Sequence, residues 1–425
     1  MSESYLVRKT FGSFLFRRQE RGKNEDPLLS VSQERGVIPQ EEAGRRNISS
    51  ANKTTYWRVY PGDIVYNTMR MWQGASSSSE YFGIVSPAYT VCQPAESVSS
   101  KYLAYLLKHP SAVRRFEARS QGITSDVWNL RFSEFAKIET DFVVHEKHRN
   151  RIAEVLSTVD EAIEQTEVLI AKYKQIKAGL MHDLFTRGLT SDGRLRATRD
   201  QAPHLYKDSP FGWIPREWSF GFLSEFLLGR PKNGYSPQEV DEWSGLYALG
   251  LGCLTSEGFK PCHLKPIGLG DSQCREALLH DGDLLLSRSN TPELVGLCGT
   301  YRDVGNPCIY PDLMMRIRPN ARTSTEFLEA LLLSPLMRRR ISGAAVGTSG
   351  SMVKLNSRAV LRLEAAMPEK DEQECMLKFN RTLREVLASL ECDLNKLHQQ
   401  KYGLMHDLLT GRVRVKVGGP AGDMV

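Results

Sequence analysis

Two stretches of this chain carry mainly apolar residues at alternating intervals of four and three positions. The positions are Ile152, Leu156, Val159, Ile163, Thr166, Ile170 and Tyr173 in the first stretch, and Met376, Phe379, Leu383, Val386, Leu390, Leu394 and Leu397 in the second. Charged residues occupy the other faces. Such spacing is typical of a coiled-coil seam. It predicts two amphipathic helices, at 146–188 and 370–411.

Each predicted helix ends before a glycine, Gly188 or Gly411, where a left-handed residue commonly stops a helix. About forty residues give a length of about 60 Å. An apolar seam of that length needs a partner, and the simplest partner is the other helix, packed antiparallel with a globular unit at each end. The alternative is that both are long helices within a core.

The chain also contains an internal repeat. Gly179–Leu184 (GLMHDL) recurs without change as Gly403–Leu408, 224 residues later (403 − 179). Upstream, at an offset of 225 (327 − 102), Tyr102–Leu107 aligns with Phe327–Leu332, and Gly122–Leu130 aligns with Gly347–Leu355. Pro61–Val65 likewise resembles Asp281–Leu285. An ordered series of this kind indicates a tandem duplication of a globular unit followed by a long helix.

The globular units show short strand-like runs between Gly-, Ser- and Pro-rich turns, with one short helix each, near 101–108 and 326–333. The predicted fold class is α+β: two mixed α/β units, joined and separated by two long helices in an antiparallel coiled coil, with a pseudo-twofold internal repeat. The predicted domains are 1–145, the helix 146–188, a linker 189–212, the second unit 213–369, the helix 370–411 and a tail 412–425. Residues 67–80 are expected to form an exposed loop.

Composition and charge narrow the functional classes only modestly. A hydrophobic content of 41%, a charged content of 25% and a mean hydropathy of −0.36 are ordinary for a soluble protein. No apolar run approaches the length of a membrane span, and no signal sequence is evident. The eight cysteines are scattered, which favours reduced thiols and an intracellular protein. A net charge of +6 permits a polyanionic partner without requiring one.

Motifs for catalysis are absent. The chain has no GxxxxGK[ST] phosphate loop, no HExxH and no GxSxG. It also lacks the Asn-Pro-Pro-aromatic tetrapeptide of amino-methyltransferases. Cys253, Cys262, His263 and Cys274 match no standard zinc spacing. The repeated His-Asp pairs end a helix that recurs as architecture, so we interpret them as helix-end or docking features. We predict no catalytic and no metal-binding residue.

The chain resembles the specificity subunit of type I restriction-modification enzymes over essentially its whole length. The resemblance rests on the two α/β units with their GLMHDL helix ends, on Leu408–Arg414, on Gly282–Ser289 and on the Glu-Gln entry into the second helix at Glu372–Met376. The first repeat departs from that entry with His148–Ile152. The unit opening at Gly212–Trp218 has no partner before residue 12, so residues from elsewhere in the chain are expected to complete the first unit.

This resemblance implies a non-catalytic DNA reader in a prokaryotic cytoplasm. Each unit would be a target recognition domain for one half of a split, asymmetric site in double-stranded DNA, with the helices as a ruler. Two modification subunits would add N6-adenine methylation, and two restriction subunits would add translocation and cleavage. S-adenosylmethionine, ATP and Mg²⁺ would belong to those partners, and this chain would bind no cofactor or membrane.

Features that differ between the two repeats are candidates for readout, and features that they share are candidates for docking. The candidate phosphate contacts are Arg17, Arg18, Arg45, Arg46, Arg230 and Lys232. The candidate base-reading residues are Asn67, Arg70, Gln73, Asn233, Arg288, Asn290 and Thr291. The candidate docking residues are Leu180, His182, Asp183, Leu404, His406 and Asp407.

Two other classes of function stay open from the sequence. One is an enzyme, either a fused restriction-methylation polypeptide or an unrecognised hydrolase, which would bind S-adenosylmethionine or cut DNA alone. The other is a coiled-coil adaptor without a DNA role, which would show no salt-sensitive binding to duplex DNA.

Overall fold

The computed structural model of this chain describes residues 4–32, 35–44, 47, 49–50, 52–122, 128–210, 212–240, 245–268, 272–349 and 352–417. It divides into two compact units. Unit 1 is Met1–Val168 with Leu390–Val425, and unit 2 is Leu169–Ser389. Both long helices cross the division, so each unit contains part of each helix. The predicted domain boundaries treated the two helices as separate from the globular units. In the structure the helix ends pack into the cores of the units.

Among its described residues, unit 1 contains ten strands, three short α-helices and parts of the two long helices. The strands are β1 (Leu6–Thr10), β2 (Leu15–Arg17), β3 (Leu29–Ser32), β4 (Gly36–Pro39), β5 (Trp57–Val59), β6 (Ile64–Asn67), β7 (Ser76–Ser78), β8 (Gly83–Val85), β9 (Tyr89–Pro94) and β10 (Glu139–Val143). The short helices are α1 (Ser100–Lys108), α2 (Pro110–Arg119) and α3 (Phe132–Phe135), and the long-helix parts are the start of α4 (Glu146–Thr186) and the end of α9 (Lys370–Leu409).

An antiparallel sheet of order β2-β9-β6-β7 forms the centre of unit 1. Its strand β6 is buried on both faces because successive side chains of a strand point in opposite directions. Ile64 and Tyr66 join the aromatic core beneath α1 and α2. Val65 joins a second cluster made mostly of valines from β3, β4, β5, β8 and β9. The central strand therefore holds the two layers of unit 1 together.

Unit 2 contains the remaining elements. Its strands are β11 (Tyr206–Lys207), β12 (Ile214–Pro215), β13 (Ser219–Phe222), β14 (Lys232–Asn233), β15 (Tyr247–Leu249), β16 (Leu254–Thr255), β17 (Gly258–Phe259), β18 (Leu264–Pro266), β19 (Leu284–Ser287), β20 (Ser289–Asn290), β21 (Cys298–Thr300), β22 (Cys308–Ile309), β23 (Met314–Ile317), β24 (Val346–Ser349), β25 (Met352–Lys354) and β26 (Glu364–Met367). Its helices are α5 (Ser272–Glu276), α6 (Thr325–Leu333), α7 (Pro335–Ala344) and α8 (Ser357–Leu361), together with the end of α4 and the start of α9 (Lys370–Leu409).

The central sheet of unit 2 repeats that of unit 1. Its order is β14-β23-β19-β21, again antiparallel throughout. Leu284 and Leu286 of β19 enter one core and Leu285 enters another. The following short helix is capped alike in both units, since the Ser99 hydroxyl accepts from the Tyr102 amide and the Ser324 hydroxyl accepts from the Phe327 amide. The repeat seen in the sequence thus extends to the strand order.

The apolar residues of each GLMHDL segment pack into the core of the unit where its helix ends. In α4, Leu184 and Phe185 lie in the unit 2 core, with Leu180 and Met181 packed against it. In α9, Met405, Leu408 and Leu409 lie in the unit 1 core, which Leu404 borders. Gly188 and Gly411 follow these turns with φ of +62° and +68°, as the sequence predicted. The repeated segment is therefore a core anchor.

The predicted seam matches the first helix better than the second. Ile152, Leu156, Ile163 and Ile170 are buried. In α9, however, Phe379 is 41% exposed and its neighbour Asn380 is only 2% exposed. The prediction that Phe379 is a seam residue is wrong. The face of α9 against α6 and α7 buries Asn380 and Leu387 instead, because tertiary neighbours outweigh the periodicity of the sequence.

The end of the chain completes the edge of unit 1. A Cβ on Gly411 would come within 2.9 Å of Leu6 Cδ1, and the Arg414 guanidinium lies 5.1 Å from the Tyr5 ring. In unit 2, the equivalent Gly188 is enclosed by Glu372, Arg196 and Trp218. The expectation that residues from elsewhere in the chain complete the first unit is therefore confirmed.

The Glu-Gln entry into α9 ties that helix to two other segments. The Gln373 amide donates to the carbonyls of Arg322 and Pro368 and accepts from the Thr323 hydroxyl. In the first repeat Arg149 stands at the equivalent position and donates to the carbonyls of Ser97 and Val143. Arg149 is 4% exposed, and burial lowers its pKa from the ordinary value. The two repeats thus use different side chains for one bonding task.

Glu372 is the centre of a buried hydrogen-bond network. Its carboxylate accepts from the Leu189 amide at 2.7 Å, from Trp218 Nε1 at 3.0 Å and from the Arg196 guanidinium. Arg196 is 5% exposed. The segment 189–212, predicted to be a linker, is therefore packed on unit 2. The prediction missed this because its anchoring groups lie far along the chain.

Replacing Glu372 by alanine is expected to destabilise unit 2 by roughly 3 kcal/mol or more, because a buried guanidinium loses its main counter-charge. Urea unfolding followed by circular dichroism measures the change. Glu385→Ala, at an exposed position of the same helix, is the control and should change stability by less than about 0.5 kcal/mol. Equal effects of the two substitutions would contradict the proposed importance of the network.

Candidate nucleic-acid interface

In unit 1 the segment after β6 is a fixed turn with an exposed rim. Met71 is fully buried and anchors it, while the Leu130 amide donates to the Thr68 carbonyl at 2.8 Å. Trp72 packs edge-on against Trp128 with 5.4 Å between ring centroids. The prediction of an exposed loop over 67–80 is wrong in this respect, because β7 and the buried Met71 lie within it. Arg70 and Gln73 are nevertheless exposed.

The equivalent segment of unit 2 is fixed in the same way. The Leu355 amide donates to the Arg288 carbonyl at 2.8 Å, which matches the contact between Leu130 and Thr68. In addition, β20 pairs with β25, so Ser289 lies opposite Lys354. The hairpin of β24 and β25 presents Val346, 73% exposed, and Met352, 47% exposed. In each unit, the segment after the central strand is thus joined to a second segment about 60 residues later (130 − 68; 355 − 288).

Several predicted base-reading groups already make bonds within the protein. Asn67 Oδ1 accepts from the Met69 amide, and Asn290 Oδ1 accepts from the Thr291 amide. The Arg288 guanidinium donates to the Asp312 carbonyl at 3.2 Å. The asparagine oxygens therefore shape the turns. Asn233, on edge strand β14, has an exposed side chain.

The predicted phosphate contacts fall into three groups. Arg17, Arg230 and Lys232 are exposed. Arg45 and Arg46 lie outside the described residues. Arg18 differs from both groups: its guanidinium forms a two-pronged pair with Asp63, at 2.8 and 2.9 Å, and the Asp63 side chain is only 3% exposed. The bond to Asp63 raises the pKa of Arg18. Arg18 is therefore a structural residue, contrary to the prediction.

Sequence reasoning missed an aromatic and basic patch beside Arg17. The Arg21 guanidinium lies 3.5 Å from the centre of the Trp57 ring, and that of Arg17 lies at 5.3 Å from the same centre. Trp57 is half-buried, and both arginines are exposed. Trp128 and Lys354 were missed as well. Their signal was the aligned Gly122–Leu130 and Gly347–Leu355 segments, because the Leu130 and Leu355 amides bond to the turns after β6 and β19.

Comparison with known proteins gives a consistent assignment. No protein-family profile matches the chain. The MjaVIII type I restriction enzyme specificity subunit of Methanocaldococcus jannaschii is 22% identical over 419 residues, covering 93% of this chain and 90% of the relative. The EcoKI specificity subunit of Escherichia coli is 22% identical over 271 residues, covering 61% of this chain and 53% of that relative.

Solved structures share the fold. The type I S subunit of M. genitalium aligns with a TM-score of 0.53 and 15% identity, covering 96% of this chain and 97% of that one. A chain from a study of type I R-M complex assembly and conformational transition aligns with a TM-score of 0.57 and 14% identity, covering 96% and 98%. This chain belongs to the type I specificity subunits. The specificity subunit has a mixed helix and strand fold, as predicted.

The candidate docking residues of the specificity subunit have unequal surroundings. Leu180 and Leu404 pack against the unit cores, so packing within the chain accounts for both. Asp183 pairs with Arg187 at 3.3 Å. His182 is exposed, and Asp407 is partly exposed. His406 is exposed on one side and lies parallel to the His109 ring, with 5.8 Å between centroids.

The described part of the specificity subunit contains no cluster of three or more metal-ligating side chains. None of its described helices is long and apolar enough to span a membrane. None of the eight cysteines forms a disulfide bond.

The buried side chain of His109 makes the folding stability of unit 1 of the specificity subunit depend on pH. It is 5% exposed, and its Nδ1 lies 2.7 Å from the Ser111 hydroxyl. Burial is the main cause of its lowered pKa, and His406, Arg115 and Arg114 act in the same direction while Asp141 opposes them. The folded state therefore binds a proton on His109 less readily than the unfolded state does.

Unit 1 therefore has its full stability above the unfolded pKa of about 6.5, where His109 is neutral in both states. Stability is lost as the pH falls below that value, because the unfolded state then binds a proton that the folded state binds less readily. We expect the thermal midpoint of unit 1 to fall between pH 7.5 and pH 5.5, and His109→Gln to reduce that fall. Differential scanning calorimetry at the two pH values measures both. The control His398→Gln replaces an exposed histidine of α9 and should leave the fall unchanged.

Proposed function

We propose that this specificity subunit gives a type I restriction-modification complex its DNA sequence specificity, and that each unit reads one half of a bipartite, asymmetric site. The chain is the non-catalytic subunit. One observation supports a site read in two halves. Both units have the same antiparallel sheet order, but the turns that follow β6 and β19 have different side chains. A shared scaffold with unlike exposed turns is suited to reading two unlike half-sites.

The readout surface of each unit would combine the turn after the central strand with its hydrogen-bonded neighbour. In unit 1 these are 67–73 with Trp128, and in unit 2 they are 287–291 with β24 and β25. Arginine, glutamine and asparagine side chains distinguish base pairs in the major groove. Exposed Arg70, Gln73 and Asn233 fit that task, while the half-buried Arg288 would turn outward on binding. Arg17, Arg230 and Lys232 would contact phosphates.

The two long helices would serve as the spacer, packed as an antiparallel coiled coil in a pseudo-twofold arrangement. Contacts inside each unit support this. In unit 1 the Asp160 carboxylate of α4 meets Lys401 Nζ of α9 at 2.5 Å, and Ile152 shares a core with Leu409. In unit 2 Leu184 of α4 shares a core with Leu377 of α9. A stiff spacer would convert two modest half-site affinities into one stronger affinity through effective concentration.

The partners would supply the chemistry. Two modification subunits would dock on the helix ends near His182 and His406 and carry S-adenosylmethionine for N6-adenine methylation. Two restriction subunits would carry ATP and Mg²⁺ for translocation and cleavage. In this arrangement the specificity subunit itself would hold no cofactor.

Removing Arg230 and Lys232 together by alanine substitution is expected to weaken binding of the methyltransferase complex to specific and unrelated duplexes alike. Each lost phosphate contact lowers the slope of log K against log salt by roughly 0.9. Fluorescence anisotropy over a salt series measures the slope. The control Arg194→Ala removes an exposed arginine of unit 2 that pairs with Asp192, and should leave the slope unchanged.

The test of the proposed function is a methylome of cells with and without this gene. We expect N6-methyladenine at one two-part motif to disappear when the gene is deleted. Complementation with Gln73→Ala or Arg288→Ala should relax different halves of that motif, whereas Glu117→Ala, exposed on α2, should restore it intact. An unchanged methylome in a strain that expresses the partner subunits would overturn the proposal, and relaxation of the same half by both variants would overturn the two-reader scheme.

A further inference from the structure

Unit 2 contains a cavity of about 300 Å³ where α4, α6 and α9 meet the hairpin of β16 and β17. Its walls are mainly apolar: Ala178, Met181, Ala330, Leu333, Pro335 and Leu387. The polar lining consists of Lys174, Lys177, Ser256, Glu257, Ser334, Asn380 and Arg384. A small apolar cavity with a few convergent polar groups has the general character of a small-molecule site.

The internal repeat supplies a comparison for this cavity. Helix α6 begins and ends 225 residues after helix α1 (325 − 100), so Ala330 of α6 corresponds to Tyr105 of α1. The Tyr105 hydroxyl donates to Asp160 at 2.6 Å. Asp160 is in turn the counterpart of Arg384, 224 residues later (384 − 160). The matching cleft of unit 1 is lined mostly by polar and charged side chains around Tyr105.

Two replacements therefore distinguish unit 2 at this place. The aromatic ring of Tyr105 is exchanged for the methyl group of Ala330, which leaves room for a ring. The acceptor Asp160 is exchanged for the donor Arg384. In unit 1 the Tyr105 ring fills this position and its hydroxyl donates to Asp160. In unit 2 the corresponding space beside Arg384 is wide enough for an aromatic ring.

Two polar atoms at the cavity lack a hydrogen-bond partner among the described residues. Asn380 is only 2% exposed and its Oδ1 is unpaired, and Nε of Arg384, one turn further along α9, is unpaired as well. Nη2 of Arg384 contacts Glu329 at 3.2 Å, so one edge of the guanidinium is used. A buried polar group without a partner is costly, and a ligand oxygen that accepts from Nε of Arg384 recovers that free energy. The Asn380 oxygen needs a donor, which a carboxylate does not supply.

The charge around the cavity favours an anion. Lys174, Lys177 and Arg384 line it, against Glu257 as the one acidic lining residue. Glu257 also pairs with Lys260, and that bond is the main cause of its lowered pKa. Lys177 and Lys174 also act to lower the pKa of Glu257, so this carboxylate is shared among several lysines, and the lining has three cationic side chains against one carboxylate.

We propose that this cavity binds a small aromatic carboxylate, with its ring between Ala330 and Leu387 and its carboxylate at Arg384 and Lys177. The ring takes the space that Tyr105 fills in unit 1. The carboxylate accepts from the unpaired Nε of Arg384. This site is separate from DNA readout, since none of its lining residues belongs to the turns after β6 or β19.

Titration of phenylacetate into the full chain, by isothermal calorimetry and ligand-observed NMR, tests the proposal. We expect saturable binding to the unaltered protein, no binding to Ala330→Tyr, and binding weakened about tenfold or more by Arg384→Gln, which removes a charged hydrogen bond. Lys378→Ala, exposed on α9 and outside the cavity, is the matched control. Phenethylamine, which has the opposite charge, should not compete.

Absence of saturable phenylacetate binding would overturn the proposal, and so would equal binding by Ala330→Tyr, by Arg384→Gln or of phenethylamine. Thermal unfolding of each variant shows whether it is folded. If Ala330→Tyr does not fold, the Arg384→Gln comparison decides alone. Binding that survives both substitutions places the ligand elsewhere on the chain and counts against this cavity.

Discussion

The fold depends on burying the last turn of each long helix. Leu184 and Phe185 close the core of unit 2, and Leu408 and Leu409 close that of unit 1. Fully burying side chains of this size contributes on the order of 1.5–3 kcal/mol each, comparable to a large part of the stability of a domain. Neither unit has a complete core without the end of a helix that began elsewhere in the chain. This accounts for the apolar residues that the two GLMHDL segments share, because a unit core encloses them in both repeats.

The polar connections follow the same logic but tolerate more variation. Glu372 and Gln373 tie α9 to the start of unit 2, while His148 and Arg149 stand at these positions in unit 1. The backbone carbonyls near Ser97 and Arg322 need a donor, and either an amide or a guanidinium supplies one. Buried ionic groups are costly unless every member is paired. Arg196 meets that condition through Glu372 and Glu217.

Periodicity and the repeat predicted the long helices, the short helices near 101–108 and 326–333, and the general fold class. They failed where tertiary neighbours decide. Phe379 satisfies the heptad but is exposed, and Asn380 breaks it but is buried. Arg18 was indistinguishable from Arg17 in sequence, because only the fold brings Asp63 against one of them. The candidate interface was partly predictable in the same way. The turns follow from the repeat, but the packing of Trp128 on Trp72 and the pairing of Lys354 with Ser289 depend on the tertiary fold.

The closure of unit 1 by Gly411 and Arg414 has a consequence for the order in which the protein becomes structured during synthesis. Ile152 and Leu156 are translated long before Met405 and Leu408, which complete their core. Because the N-terminal parts of a chain leave the ribosome first, this apolar surface stays open until the residues around Met405 and Leu408 have been made. Unit 2, whose sequence is continuous from Leu169 to Ser389, has all its own parts earlier. The nascent chain therefore acquires a complete second unit before its first, and its first unit is the one exposed to aggregation or to chaperones.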